Sequence, residues 1–277
     1  NELWLGTRYY GMYLVSLRNN LPVGVRHFDE TLLKSPNTNK VVEGLNGYVW
    51  IATTQGVNYI EKEANGNYEF KSSKIINQAL DRRCVNTLWY DQKQTLWIGT
   101  QDDGLFKVRL DHNGLPHGIA QYCMANGKIN NNNISTLHCD SKNRFWIGTH
   151  GGGLSLYNPA KDRFDVVKNV KFLPDDAIYA IEEDQAGCLW LATGKGLVSY
   201  NYDLPSDRQI KVFSYKNNLG IKSFSAEASC KDRDGRLYFG GSNGLLWFSS
   251  NDFQDNTFSP TPQITDIYIA NEPIQEL

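Results

Sequence analysis

The sequence has no cysteine pair, no basic excess, no long apolar run and no helical patterning, and each absence removes a class of function. Its 5 Cys (Cys84, Cys123, Cys139, Cys188 and Cys230) are odd in number and never form C-x-x-C. A disulfide framework and a zinc site therefore both lack their spacing signature. Each cysteine lies in or beside an expected strand and reads as a small buried hydrophobe. Lysine plus arginine number 28 against 30 aspartate plus glutamate, a net charge of −2. Without a basic stripe or run there is no electrostatic footprint for nucleic acid, so no nucleic-acid partner is expected. No apolar stretch reaches the length of a membrane-spanning helix, and no signal peptide opens the chain. The 5 His are scattered, with no H-E-x-x-H or paired ligand spacing, so neither a metal nor a cofactor is expected. Helical periodicity of 3.6 residues bounded by caps is also missing.

What the chain has is aromatic residues, with 7 Trp and 15 Tyr in 277 residues, and a repeat. Six segments match: LWLGT (Leu3 to Thr7), VWIAT (Val49 to Thr53), LWIGT (Leu96 to Thr100), FWIGT (Phe145 to Thr149), LWLAT (Leu189 to Thr193) and LYFGG (Leu237 to Gly241). Their central aromatics, Trp4, Trp50, Trp97, Trp146, Trp190 and Tyr238, are spaced by 46, 47, 49, 44 and 48 residues. A period of this size points to propeller blades or a helical solenoid, and the intervening segments decide between them. Six residues before an aromatic stand Asp91, Asp140, Asp184 and Asp232; three before it stand Gly47, Gln94, Asn143, Gly187 and Gly235. These are residues of tight turns, tolerant of left-handed backbone. Six or seven residues after the aromatic, a glycine precedes an apolar residue, as in Gly104-Leu105 and Gly153-Leu154, and a short strand pattern follows. Each unit thus reads as four short strands joined by turns. The fold class is all-β: a β-propeller of four-stranded antiparallel blades, about six repeats, the first blade incomplete.

In such a blade the W-I-G-T strand stands second from the axis. Trp4, Trp50, Trp97, Trp146 and Trp190 are then expected as structural wedges between neighbouring blades. The small residue two places after each aromatic, Gly99 or Gly148 for example, would let adjacent sheets approach closely. Residues 1–258 form the propeller. Residues 259–277, with their proline punctuation and the alternating ITDIYIAN, read as a linker and the first strand of a following β-sandwich.

The order D-x-x-G-x-L-W-I-G-T, a short turn, then G-L-x-x-Y, clearest in DQAGCLWLATGKGLVSY (Asp184 to Tyr200) and DSKNRFWIGTHGGGLSLY (Asp140 to Tyr157), resembles the two-component regulator propeller repeat. The tail resembles the start of the Y-Y-Y β-sandwich that follows such propellers. The resemblance implies the periplasmic sensor region of a hybrid two-component system of Bacteroides-type bacteria, anchored in the inner membrane. Such sensors pair two seven-bladed propellers with that sandwich, commonly detect oligosaccharides, and work as homodimers. The expected partners are therefore an oligosaccharide, a preceding propeller, the following β-sandwich and a second copy. Histidine kinase activity would lie elsewhere in the full-length protein, the chain itself being no enzyme. The departure from the seven-bladed pattern implies a fragment from the C-terminal part of the sensor region.

Motifs that invite other chemistry read as turns. GTHGGG (Gly148 to Gly153) lacks the helix a phosphate loop requires. GGSNG (Gly240 to Gly244) places Ser242 between two strands, with no histidine after it. DRDG (Asp232 to Gly235) lacks the later ligands of a calcium loop. No catalytic residue is expected. Candidate ligand contacts are Arg8, Tyr9, Tyr10, Arg82, Arg83 and His150, all on the rim that carries the turns after the G-T strands. Tyrosine faces can stack on sugar rings and arginines can bind carboxylate or sulfate; packing against a neighbouring domain is the other reading. A glycan-active propeller hydrolase or lyase, or a protein-interaction propeller, are the alternatives.

Overall fold

The computed structural model describes residues 2–253, except 30, 64, 92, 168–172, 207 and 215–218, together with 268–269 and 272–273. Strands follow the repeat and form six sheets in chain order. Blade 1 contains β1 (Glu2–Gly6), β2 (Met12–Arg18) and β3 (Leu21–Phe28); blade 2 contains β4 (Thr38–Glu43), β5 (Val49–Thr53), β6 (Gly56–Lys62) and β7 (Tyr68–Lys71). Blade 3 contains β8 (Val85–Tyr90), β9 (Thr95–Thr100), β10 (Leu105–Leu110) and β11 (Pro116–Tyr122); blade 4 contains β12 (Ile134–Cys139), β13 (Phe145–Thr149), β14 (Leu154–Asn158) and β15 (Arg163–Val166). Blade 5 contains β16 (Ile178–Glu183), β17 (Leu189–Thr193), β18 (Gly196–Tyr200) and β19 (Ile210–Phe213); blade 6 contains β20 (Phe224–Lys231), β21 (Leu237–Gly241) and β22 (Gly244–Phe248). Pairing within every blade is antiparallel. The chain is a six-bladed β-propeller whose first strands, β4, β8, β12, β16 and β20, run side by side at the centre. Blade 1 has three strands because β1, which carries Trp4, corresponds to the second strand of the other blades.

The wedges occupy the junctions. Trp50 packs with Val85, Leu88 and Ile98 of blade 3; Trp97 with Ile134, Leu137 and Ile147 of blade 4. Trp146 meets Ile178, Ile181 and Leu191 of blade 5, and Trp190 meets Phe224, Leu237 and Phe239 of blade 6. All four are buried, whereas Trp4 is half-buried against Phe28 and Tyr68. Gly99 and Gly148 explain the small residue after each wedge. A Cβ on Gly99 would lie 2.8 Å from Ile134 Cγ2 of the next blade, and one on Gly148 would lie 2.9 Å from Ile178 Cγ2, both inside van der Waals contact.

The aspartate six residues before the wedge does more than make a turn. Asp140 Oδ1 accepts the backbone N–H groups of Lys142 (3.0 Å) and Arg144 (2.9 Å), while Oδ2 accepts the indole N–H of Trp146 (2.9 Å). Asp184 repeats this with Ala186, Cys188 and Trp190, and Asp232 with Asp234, Arg236 and the Tyr238 hydroxyl. One carboxylate therefore closes a hairpin and satisfies a ring donor at a blade junction, as burial requires. Burial would raise the Asp140 carboxyl, but the Trp146 indole and the backbone and guanidinium of Arg144 hold it below the usual range. The turn residues Gln94 and Asn143 take positive φ of 63° and 58°. At the other strand end, Thr149 Oγ1 donates to Gly153 O (3.1 Å) and accepts from Gly152 N (2.9 Å), so GTHGGG is a hydroxyl-closed turn. Thr7, Thr53, Thr100 and Thr193 close theirs in the same way.

Two expectations need correction. A helix, α1 (Lys74–Leu80), stands between blades 2 and 3, capped by Ser73, which accepts the N–H of Ile76, and burying Ile76 and Leu80. Its 7 residues are too short to register as a period, although the Ser73 cap and the i, i+4 apolar pair are visible once sought. The cysteines are not uniformly buried hydrophobes: Cys188 is buried, Cys84, Cys123 and Cys139 are intermediate, and Cys230 is exposed, all as free thiols. Cys230 lies on β20, at the open end of the series of inner strands. The expected β-sandwich start at 259–277 lies outside the described residues except for a two-residue pairing of Tyr268–Ile269 with Glu272–Pro273.

Candidate functional site at the axial mouth

The inner strands create the site by bulging. Each of β4, β8, β12 and β16 carries one extra residue near its rim end: Asn39, Asn86, Ser135 and Tyr179. A bulge re-aims a side chain out of the regular ladder, and three of these side chains reach the next blade. Asn39 Nδ2 donates to Val85 O (2.8 Å), Asn86 Nδ2 donates to Ile134 O (2.9 Å), and Ser135 Oγ donates to Ile178 O. Each acceptor is the residue just before the next bulge, so the rim ends of blades 2 to 5 are latched in sequence. Blade 6 breaks the series. Phe224 pairs with Gly241 and Ser229 with Phe239, which leaves three extra residues on β20. Glu227, within this large bulge, takes φ 56°, a left-handed conformation that costs a non-glycine residue energy.

These bulges and the turns after β9 and β13 surround a cavity of about 280 Å³ that holds Asn39, Asn86, Gln101, Ser135, His150, Tyr179 and Glu227. Glu227 Oε2 receives Lys40 Nζ at 2.5 Å, tying blade 6 to blade 2 across the centre. Glu227 Oε1 is buried with no partner among the described residues. Deeper on the same strands, burial raises the Glu182 carboxyl; the Ser229 hydroxyl (2.9 Å) and Lys40 oppose this. The mouth therefore offers amide, hydroxyl and imidazole groups around a charge pair that is already neutralised. That chemistry suits an uncharged, hydroxyl-rich molecule, which can exchange hydrogen bonds with the amides, the hydroxyls and the imidazole.

Of the candidate residues read from sequence, His150 alone lines this mouth, with its ring 5.8 Å from that of Tyr179. Tyr9 and Tyr10 are 64% and 69% exposed on the blade 1 turn, where Arg8 stands 5.8 Å from the Tyr9 ring and Tyr9 N donates to Asn37 Oδ1. Arg82 has φ 58° in the loop entering β8, and Arg83 is paired with Asp103 at 3.1 Å. The arginines and tyrosines occupy the same rim in two separate groups. Asn39, Asn86, Tyr179 and Glu227 were not singled out from sequence. The signal for the first two was an asparagine one place into an inner strand, TNKVV and VNTLW.

Comparison with known proteins adds the repeat's identity. Residues 128–151 and 173–195 match the model of the two component regulator propeller. The chain is 29% identical over 228 residues to "Histidine kinase P4" of Formosa agariphila, an alignment covering 80% of this chain and 15% of that protein. Among solved structures it is similar to the extracellular domain of BT3049 from B. thetaiotaomicron, described as a hybrid two component system (TM-score 0.61, 23% identity, 99% of this chain and 42% of that one). It is likewise similar to the extracellular domain of BT4673 from B. thetaiotaomicron (TM-score 0.63, 18% identity, 99% and 42%). The chain thus spans under half the length of these proteins, and at these identities the structures establish a shared fold.

Proposed function

We propose that this chain, which carries two component regulator propeller repeats, is the extracytoplasmic ligand-sensing region of a hybrid two-component sensor kinase, and that its axial mouth receives an oligosaccharide. The carrying observation is the convergence of Asn39, Asn86, His150, Tyr179 and Glu227 on one cavity at the centre of the blades. Such convergence of polar groups in a pocket is the pattern of a specific small-ligand site. The histidine kinase relative supports a signalling output, and the extracellular relatives support a periplasmic setting. In this reading the chain binds and performs no chemistry, and the kinase resides in another part of the full-length protein. Ligand would favour one arrangement of this propeller against a preceding propeller, the following β-sandwich and a second copy, through differential affinity for the two arrangements.

Calorimetric titration of neutral oligosaccharides, with product analysis of the same mixtures, tests the proposal. Saturable heat without product is expected, weakened at least about tenfold, or ~1.4 kcal/mol, by Tyr179→Ala or His150→Ala. Turnover of any glycan overturns the sensing reading in favour of a hydrolase or lyase. Binding untouched by either variant removes the axial mouth as the site.

A further inference from the structure

The opposite rim holds a second cavity, at the junction between blades 3 and 4. Between blades 4 and 5, Arg144 fills the space over the wedge. Its guanidinium lies 5.6 Å from the Trp146 ring and 5.1 Å from the Tyr202 ring, held by Asp140 (2.5 Å) and Asp203 (3.0 Å). Between blades 3 and 4 the equivalent position is Thr95: like Arg144 it stands two residues before the wedge and donates its backbone N–H to the turn aspartate, Asp91, at 2.9 Å. Its short side chain is buried, and Lys107, not a guanidinium, stands by the Trp97 ring. This junction holds a cavity of about 400 Å³ walled by Trp89, Tyr90, Trp97, Phe145 and Tyr157, a volume within the usual range of small-molecule pockets.

The polar groups at its edge are specific. Lys107 Nζ stands 5.1 Å from the Trp97 ring and 5.8 Å from the Tyr157 ring, and Lys93 borders the opening. Asp140 also borders it, but that carboxylate is consumed by Trp146, Arg144 and two backbone N–H groups. Asp91 spends Oδ1 on the backbone of Lys93 and Thr95, and among the described residues Oδ2 accepts no hydrogen bond and does not reach the Trp97 indole. The cavity therefore combines aromatic walls, two ammonium groups and one carboxylate oxygen with spare acceptor capacity. Aromatic faces take the C–H face of a sugar ring, lysine takes a carboxylate as a charge-assisted pair, and the acceptor takes a ring hydroxyl. We infer that the cleft between blades 3 and 4 binds a sugar acid, a pyranose ring bearing a carboxylate, independently of the axial mouth.

The test is titration of the intact chain with glucuronate, and with glucose as the uncharged control, followed through the 15N–1H indole signals. No tryptophan lines the axial mouth, so saturable shifts of Trp89 and Trp97 report this cleft alone. Glucuronate should shift both signals, and glucose should bind at least about tenfold more weakly. Lys107→Gln should reduce glucuronate affinity by a similar factor and erase the preference over glucose. Thr95→Arg, which sets a guanidinium beside Asp91 at the Trp97 ring, should abolish the shifts while a thermal melt shows the fold retained. If Thr95→Arg unfolds the chain, the Lys107→Gln result decides. Absence of saturable shifts in the unmodified chain, equal affinity for glucose, or unchanged glucuronate affinity in Lys107→Gln overturns the proposal.

Discussion

The junction between blades 2 and 3 and that between blades 4 and 5 bury the same indole under opposite electrostatic terms. Trp146 is fully buried and its N–H ends on Asp140. Trp50 is equally buried, yet its Nε1 has no partner among the described residues: Gly44 stands where blades 3 to 6 have aspartate. A Cβ on Gly44 would lie 2.8 Å from that nitrogen. The backbone turn survives without the carboxylate: Gly44 N donates to Tyr48 O at 2.7 Å, as Asp140 N donates to Arg144 O at 3.0 Å. What the repeat preserves is therefore the apolar wedge and the turn, and the polar connection between them is separable from both.

Four measurements sharpen that contrast. Trp146→Ala should have the largest effect, about 3–5 kcal/mol in urea unfolding, from lost burial and the cavity left behind. An unmoved transition would refute the wedge role. Asp140→Ala should cost about 2–3 kcal/mol, since it strands the buried indole N–H, opens the backbone turn and leaves the Arg144 guanidinium on Asp203 alone. A loss under ~0.5 kcal/mol would show that Asp140 matters only as a turn residue. The third measurement compares the two wedges directly. Trp146→Phe leaves Asp140 without its indole donor, whereas Trp50→Phe removes a donor that had no partner, so the first should exceed the second by about 1–2 kcal/mol. Equal losses would erase the distinction between the junctions.

The smallest effect at neutral pH concerns His138 on β12, whose Nε2 is also buried without a partner among the described residues. Burial pushes its pKa down to about 4, against the pull of Glu183 and Asp140 and with the help of Lys231 and Lys40. The unfolded chain takes up a proton as pH falls through about 6.5, and the folded chain does not until about 4. The unfolded state then binds more protons, so the stability contribution of neutral His138 is full above the unfolded value and falls as pH drops towards 4. His138→Phe should flatten this part of the stability profile. An unchanged slope would mean that other groups govern it.

The blades were legible in sequence because burial repeats. A wedge every 44 to 49 residues, a small residue two places on and a left-handed turn residue three places before it are each enforced by a contact found at several junctions. The axial mouth was far less legible. Asn39, Asn86, Ser135 and Tyr179 share a position but not one residue type, and the bulge that re-aims each of them is a matter of register, which exists only between strands. The long bulge around Glu227 has no counterpart in the other blades to align with. Arg8, Tyr9, Tyr10, Arg82 and Arg83 stood out by residue type, yet residue type gives no distance, and the fold sets the two groups on different blades.

The latches at the rim have a direction. In every one the donor sits on the earlier blade, on Asn39, Asn86 or Ser135, and the carbonyl sits on the later blade, on Val85, Ile134 or Ile178. The latches therefore run one way around the axis, from blade 2 to blade 5, and blade 6 is joined differently, by packing, by the Ser229–Glu182 hydrogen bond and by the Lys40–Glu227 pair.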